Sequence, residues 1–226
     1  MKNLKYALLA ASVLLSANQV QAASNDPAPA GPVILNLDGT AVPHSYTQYT
    51  ANFVATNATT NLSFAFREDP AFLMLDNVSM TTGGGANLVT NGGFESGPVG
   101  SSAPTGWTYL NTFGATAGGQ VNSGCGINSS NCYYDGAVQA YDSITQAIST
   151  TIGQTYDVSF WLNDNSGLST FSALSTNGNT TGTGGNGINL VVYAGGIPTL
   201  ANVPEPASLA LLGIGMIGLV AARRRR

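Results

Sequence analysis

Short segments in which apolar and polar residues alternate are the feature of this sequence that most constrains its fold. In residues 155–162 every second side chain is apolar, so these side chains would project from one face of an extended strand. No comparable helical period precedes residue 208, and the pattern predicts an all-β fold, an antiparallel β-sandwich. The apolar residues of that strand are Tyr156, Val158, Phe160 and Leu162, and the other predicted strands are residues 45–56, 61–66, 72–80, 143–149 and 188–193.

The amino-terminal residues have a different composition. Two lysines precede an apolar stretch, residues 7–15, and Val20-Gln21-Ala22 supplies the small residues that signal peptidase prefers. We therefore expect a signal peptide over residues 1–22, cleaved after Ala22 by the export machinery. A retained anchor is the alternative, but the apolar stretch is short for one. The proline-containing residues 23–32 predict a flexible leader.

The carboxy-terminal residues form an apolar run that is preceded by prolines and followed by four arginines. The run, residues 208–222, would form a helix of about 22 Å, which is short of the roughly 30 Å hydrocarbon core of a bilayer. Clustered arginines after an apolar helix stay on the cytoplasmic side, so we expect a marginal transmembrane helix with the rest of the chain outside. The flanking residues are Val203, Pro204, Glu205, Pro206, Arg223, Arg224, Arg225 and Arg226.

Together these residues resemble the PEP-CTERM sorting signal of Gram-negative bacteria. The resemblance implies a sorting segment over residues 201–226 that is recognised by an exosortase, a membrane-embedded cysteine protease or transpeptidase, and processed near Pro204-Glu205-Pro206. It also implies a precursor in the inner membrane and a product at the cell surface or in the extracellular matrix. The alternative is an ordinary tail anchor in which Pro-Glu-Pro occurs by chance.

The chain between the two targeting segments is strongly acidic. From residue 23 to residue 203, Arg67 is the only lysine or arginine, and it faces ten carboxylates, a net charge of −9. Because binding to nucleic acid needs many basic side chains that neutralise phosphates, nucleic-acid partners are excluded. Anionic membrane surfaces are excluded for the same reason.

The two cysteines, Cys125 and Cys132, suit an oxidising compartment. The loop between them is short enough to close as a disulfide, which we expect to stabilise the fold by about 2–3 kcal/mol. Two free thiols are the alternative. A zinc site is disfavoured because His44 is the only histidine available as a further ligand.

The middle of the chain carries a second resemblance. Residues 91–95 (Asn-Gly-Gly-Phe-Glu), Gly106-Trp107 and residues 153–162 resemble galactose-binding-like jelly rolls, many of which are carbohydrate-binding modules. In related jelly rolls the glutamate of the opening motif and an aspartate of the closing strand often hold a structural calcium ion. Carried over to this sequence, the resemblance implies a calcium site at Glu95 and Asp76.

The order of the matching segments is unusual, because the strands that normally close such a domain come first here. We expect one β-sandwich over residues 33–200, with closing strands in residues 33–80, opening strands in residues 87–200 and a Gly-rich linker between them. The domain would then be circularly permuted. Strand exchange between two copies and an ordinary sandwich remain alternatives, whereas two separate truncated domains would leave the first with a poor core.

Three functions remain compatible with these features: a structural protein of the cell surface or of an exopolysaccharide or biofilm matrix, a carbohydrate-binding module that binds exopolysaccharide, and a hydrolase. Sugar binding would need exposed aromatic rings. His44 has no nucleophile near it in the sequence, and no spacing selects a pair among the ten carboxylates, so we favour the non-enzymatic structural role. Aromatic residues in loop-like surroundings are Trp107, Tyr109, Tyr133, Tyr134 and Tyr141, of which Trp107 is expected in the core, while Trp161 is expected to face outward from its strand.

Overall fold

A computed structural model describes residues 28–38, 40, 42–69, 72–165 and 187–199. Within these residues the chain forms ten β-strands. They are β1 (Val33–Asn36), β2 (Thr47–Val54), β3 (Thr59–Asp69), β4 (Leu73–Thr81), β5 (Thr108–Leu110), β6 (Gln120–Ser123), β7 (Asn131–Asp135), β8 (Asp142–Ser149), β9 (Thr155–Asp164) and β10 (Gly187–Gly195).

The strands form two antiparallel sheets of five strands each. Sheet 1 has the order β1-β10-β3-β8-β5, and sheet 2 has the order β2-β9-β4-β7-β6. This arrangement confirms the all-β prediction and fits a β-sandwich. The six strands predicted from alternation are β2, β3, β4, β8, β9 and β10, whereas the short strands β1, β5, β6 and β7 were not predicted.

The main hydrophobic core lies between the sheets. In β9 the predicted apolar side chains are buried, and Phe160 is fully inaccessible to solvent. Phe64 of β3 meets the ring of Phe160 edge to face, with the ring centroids 5.2 Å apart. The two residues come from different sheets, so this contact joins sheet 1 to sheet 2.

The outer face of sheet 1 is also covered near its centre. A second apolar cluster includes Ala65 of β3, Tyr193 of β10 and two residues from loops, Phe113 and Tyr141. The Tyr193 hydroxyl donates a hydrogen bond to the Pro29 carbonyl, at 2.6 Å. Burial on both faces explains why β10 reads as a continuous apolar run in its second half.

Residues 33–81 do not form a separate layer. In sheet 1, β3 pairs with β10 and β8, and in sheet 2, β4 pairs with β9 and β7. The ends of the described sandwich are neighbours, since Ala30 and Thr199 exchange two backbone hydrogen bonds, at 2.9 and 3.0 Å. A permuted domain requires these features, and permutation relative to galactose-binding-like domains stays a prediction.

No helix within the described ranges is long and apolar enough to span a membrane. The predicted signal peptide and the predicted helix over residues 208–222 both lie outside the described residues.

The chain should tolerate new termini in the Gly-rich turn that follows β4. A version opened between Gly83 and Gly84, with Thr199 joined to Ala30 by a short Gly linker, should unfold within about 1 kcal/mol of its unpermuted counterpart. The reason is that loop-closure entropy changes slowly with loop length, and an added Cβ at either glycine would meet no atom within 4 Å. Denaturant unfolding monitored by circular dichroism measures the difference.

The matched control opens the chain at Ser159, in the β9 strand that lies between β2 and β4. That version should not fold. The described strand order would be contradicted if the version opened between Gly83 and Gly84 did not fold and the version opened at Ser159 did.

Candidate functional site

The disulfide loop, residues 125–132, connects β6 to the start of β7 at the edge of sheet 2. Cys125 and Cys132 form the predicted disulfide, with a Cα–Cα distance of 5.5 Å. Gly124 directly precedes the loop, has a positive φ of 77° and donates its N–H to the Ser130 carbonyl, at 2.7 Å. The Tyr46 hydroxyl binds the Cys125 carbonyl at 2.6 Å, which ties the loop to the segment before β2.

Asp76 binds this loop from β4. Its Oδ2 accepts hydrogen bonds from the Ile127 N–H at 2.8 Å and the Ser129 hydroxyl at 2.9 Å. Its Oδ1 accepts from the Asn77 N–H at 2.6 Å, where the strand leaves regular pairing with φ of 49°. Burial raises the pKa of Asp76, and these three hydrogen bonds oppose part of that rise.

Glu95 reaches the same loop from the residues that follow the Asn-Gly-Gly-Phe-Glu motif. Its Oε1 accepts hydrogen bonds from the Ser130 N–H at 3.0 Å and the Asn131 N–H at 2.7 Å. Glu95 lies close enough to Asp76 for its negative charge to raise the pKa of Asp76. The structure therefore brings together the two carboxylates that the sequence assigned to one site.

The atoms around these two carboxylates are mostly hydrogen-bond donors. Calcium prefers a shell of oxygen ligands, whereas Asp76 and Glu95 are held by backbone N–H groups and one hydroxyl. Within the described part of the chain, no group of three or more His, Cys, Asp or Glu side chains is arranged to hold a metal ion. These contacts position both carboxylates without a metal, and calcium at Glu95 and Asp76 stays a prediction.

A second acidic cluster, which the sequence did not single out, lies between the two sheets. Asp135 at the end of β7 and Asp142 at the start of β8 are both fully inaccessible to solvent. Asp135 Oδ1 accepts from the Ala137 N–H at 2.9 Å, and Asp142 Oδ2 accepts from the Gly119 N–H at 3.2 Å. We call Asp135 and Asp142 the acid pair.

Burial dominates the ionisation of the acid pair. It raises the pKa of Asp142 to about 6. It also raises the pKa of Asp135 well above its usual range, and the charges of Asp142 and Glu68 act in the same direction. No regular sequence spacing reveals this cluster, because its members come from strands of different sheets.

Three of the six aromatic residues considered from the sequence are buried. Trp107 lies in the core as expected, and its indole N–H binds the Asn91 carbonyl at 3.3 Å. The loop-like interpretation was wrong for Tyr109, Tyr133 and Tyr134, because Tyr109 lies in β5 and the other two lie in β7. Tyr133 is fully buried inside the sandwich, and Tyr141 is 3 % exposed.

Three aromatic side chains lie on or beside the outer face of sheet 2. Phe72, which is 40 % exposed, stacks on half-buried Tyr134 with ring centroids 4.4 Å apart and an angle of 18° between the ring planes. Trp161 is half-buried and alternates with the core-facing residues of β9, so it faces outward as predicted. We call Phe72, Tyr134 and Trp161 the aromatic face.

Register places these aromatic residues on neighbouring strands. Tyr134 pairs with Met74 of β4, which in turn pairs with Asn163 of β9, two residues beyond Trp161. The amide of Asn165 donates a hydrogen bond to the Tyr134 hydroxyl at 3.2 Å. The aromatic rings thus lie beside amide side chains on one side of the sandwich.

His44 lies before β2, where it contacts the end of β9. Its Nδ1 is 2.8 Å from the Asp164 carbonyl oxygen and 3.7 Å from the Asp164 carboxylate. The imidazole is therefore oriented by backbone and carboxylate oxygens of one residue.

The carboxy-terminal segment matches a known sequence motif. Residues 202–226 match the family model of the PEP-CTERM protein-sorting motif. This match supports the predicted motif and indicates exosortase-dependent sorting of a secreted protein from a membrane-anchored precursor. The motif residues, from Val203 to Arg226, and the cleavage site at Ala22 lie outside the described residues. Comparisons with curated proteins and with solved structures found no match to the chain.

Asp76 should be needed to hold the disulfide loop. Asp76→Asn would place an amide group where Oδ2 now accepts from Ile127 and Ser129, so a buried donor would lose its acceptor. We expect a loss of about 1–3 kcal/mol in the free energy of unfolding, measured by urea titration. Asp157→Asn, at an exposed position of β9, is the matched control and should change stability by less than about 0.5 kcal/mol.

The same titration tests the calcium prediction. A chelator should lower the wild-type midpoint if calcium bridges Glu95 and Asp76, and it should leave the midpoint unchanged if hydrogen bonds alone hold the loop. Wild-type stability of Asp76→Asn would contradict the role assigned to its carboxylate.

Proposed function

We propose that this chain is a non-enzymatic structural protein of the cell surface or of the exopolysaccharide or biofilm matrix of a Gram-negative bacterium, delivered there by an exosortase. The observation that carries the proposal is the sorting-motif match over residues 202–226. In this proposal the signal peptide ends at Ala22, and the tail is processed near Pro204-Glu205-Pro206.

The properties of the sandwich support an existence outside the cytoplasm. Its disulfide suits an oxidising compartment, and its net negative charge disfavours binding to nucleic acid. Ala30 and Thr199 are adjacent, so the leader and the sorting segment leave the sandwich at one place. A domain of this kind can project from a single attachment point.

Two contacts support a permuted galactose-binding-like jelly roll. The Val78 N–H of β4 binds the Gly92 carbonyl of the Asn-Gly-Gly-Phe-Glu motif at 2.9 Å, so the closing strand lies beside the opening motif. An added Cβ at Gly92 would clash with the Val78 carbonyl, so this approach requires glycine. Both contacts join segments on opposite sides of the Gly-rich turn.

The environment of the acid pair supports the non-enzymatic proposal. A hydrolase that uses two carboxylates must expose them to its substrate. Asp135 and Asp142 are fully buried, so a polysaccharide could not reach them without opening the sandwich. Turnover of a polysaccharide by the purified protein would contradict this part of the proposal.

A second candidate function is binding of an uncharged glycan by the aromatic face. Phe72, Tyr134 and Trp161 offer ring faces or edges on the side of sheet 2, and Asn163 and Asn165 lie beside them. Aromatic faces suit the apolar C–H faces of sugar rings. The acidic body disfavours anionic polysaccharides, and matrix retention through such binding is compatible with the structural role.

Sorting should depend on the Pro-Glu-Pro motif and on the terminal arginines. Glu205→Gln, or deletion of residues 223–226, should leave full-length precursor in the inner membrane and reduce display at the cell surface. Membrane fractionation with intact-mass measurement would detect the retained precursor. Asp26→Asn, a change of one carboxylate outside the sorting motif, is the matched control. Normal display of both tail variants would contradict exosortase-dependent delivery.

Trp161 should contribute to glycan binding if the aromatic face is a binding surface. Trp161→Ala should weaken binding of a neutral polysaccharide about threefold to tenfold, because one aromatic contact contributes roughly 0.5–1.5 kcal/mol. A glycan array followed by calorimetric titration measures the change. Ile152→Ala, at a 66 % exposed site in the turn between β8 and β9, is the control. Absence of saturable binding, or binding unaffected by Trp161→Ala, would eliminate this candidate.

A further inference from the structure

The acid pair links the two sheets of the sandwich. Asp135 belongs to β7 of sheet 2, and Asp142 belongs to β8 of sheet 1. Both carboxyl groups are completely buried. A buried carboxylate is stable only when its charge is compensated or removed, so the protonation of this pair affects how the sheets are held together.

The hydrogen bonds of the pair leave one oxygen on each residue without a donor. Asp135 Oδ1 binds the Ala137 N–H, and Asp142 Oδ2 binds the Gly119 N–H. The remaining oxygens, Asp135 Oδ2 and Asp142 Oδ1, are buried and have no hydrogen-bond partner when both residues are treated as carboxylates. A side-chain hydrogen bond joins Asp135 to Asp142, and because two carboxylates can only accept, that bond requires a proton on one of them.

The surroundings favour this protonated arrangement. The Tyr109 hydroxyl of β5 donates to Asp142 and so stabilises Asp142 as the charged acceptor. The charge of Glu68 in β3 acts against ionisation of Asp135. Burial and the charges of Asp135 and Asp142 in turn raise the pKa of the nearby Tyr133 hydroxyl of β7. The backbone of Gly118 and Gly119 also packs closely against the acid pair. An added Cβ at Gly118 would lie 2.7 Å from Asp142 Oδ2, and one at Gly119 would clash with Asp135.

We propose that Asp135 and Asp142 share one proton in the folded protein and form an acid-stabilised latch between the two sheets, which weakens as the pH rises. The free energy of unfolding of the sandwich would therefore be larger at acidic pH than at alkaline pH. An exported protein meets the pH of its environment directly, so its stability would follow that pH.

The direction of the effect follows from proton binding. Both aspartates bind a proton more tightly in the folded protein than in the unfolded chain, where an aspartate has a pKa of about 3.9. Their stabilising effect is complete below about pH 3.9 and is lost as the pH rises through the folded-state values, of which that of Asp142 is about 6. Each extra proton held by the folded state makes the unfolding constant rise about tenfold per pH unit within this window.

The test is the unfolding equilibrium of the full chain, kept in mild detergent because of its apolar tail, between pH 4 and pH 8. For the wild type we expect the unfolding constant to increase at least tenfold over this range. Asp135→Asn supplies a permanent N–H donor to Asp142 and should reduce the slope. Asp38 and Asp76 also have raised pKa values, so part of the slope should remain. Asp157→Asn is the matched control and should keep the wild-type slope.

Infrared spectroscopy of the wild type gives a second measurement that does not depend on the variant folding. A carbonyl band of a protonated carboxylic acid should be present at pH 7 and disappear at higher pH. Its absence at pH 7, or an unchanged pH slope in a folded Asp135→Asn variant, would overturn the proposal. A pH slope that vanishes with a chelator would also overturn it, because a metal ion rather than a proton would then join the pair.

Discussion

The central placement of β3 and β4 is the constraint on which the rest of this structure depends. Each of these strands pairs on both sides with strands from the second half of the chain. Neither sheet can therefore form until residues far apart in the sequence have met. The contact between Phe64 and Phe160 then joins the sheets, and the hydrogen-bonded pair Ala30 and Thr199 brings the two ends of the sandwich together.

That placement also determines where the polar groups lie. Asp76 of β4 and Glu95 of the opening motif meet at the disulfide loop because β4 lies between β9 and β7. The acid pair lies between sheets because β7 and β8 are consecutive strands on opposite sheets. Loops cover the outer face of sheet 1, whereas the outer face of sheet 2 carries the aromatic face. The buried polar groups thus stabilise the fold, and the outer face of sheet 2 is the better candidate for contact with a glycan.

The sequence predicted those parts of the fold that have local physical causes. Alternation identified the six longer strands, since each has enough residues to show its apolar face. Strands β1, β5, β6 and β7 have three to five residues, which is too few for a period to appear. Asp76 and Glu95 were associated through the resemblance to jelly rolls. The acid pair could not be predicted, because six residues lie between Asp135 and Asp142 and only the folded sheets place them together.

The proposed delivery includes removal of both ends of the chain outside the cytoplasm, and intact-mass measurement of the native protein tests this most directly. Protein recovered from the cell surface or the extracellular fraction should begin at Ala23, contain the Cys125–Cys132 disulfide and lack the terminal arginines. Recovery of the chain from the cytoplasm, with Met1 and Arg226 both present and no processed form outside the cell, would contradict the account.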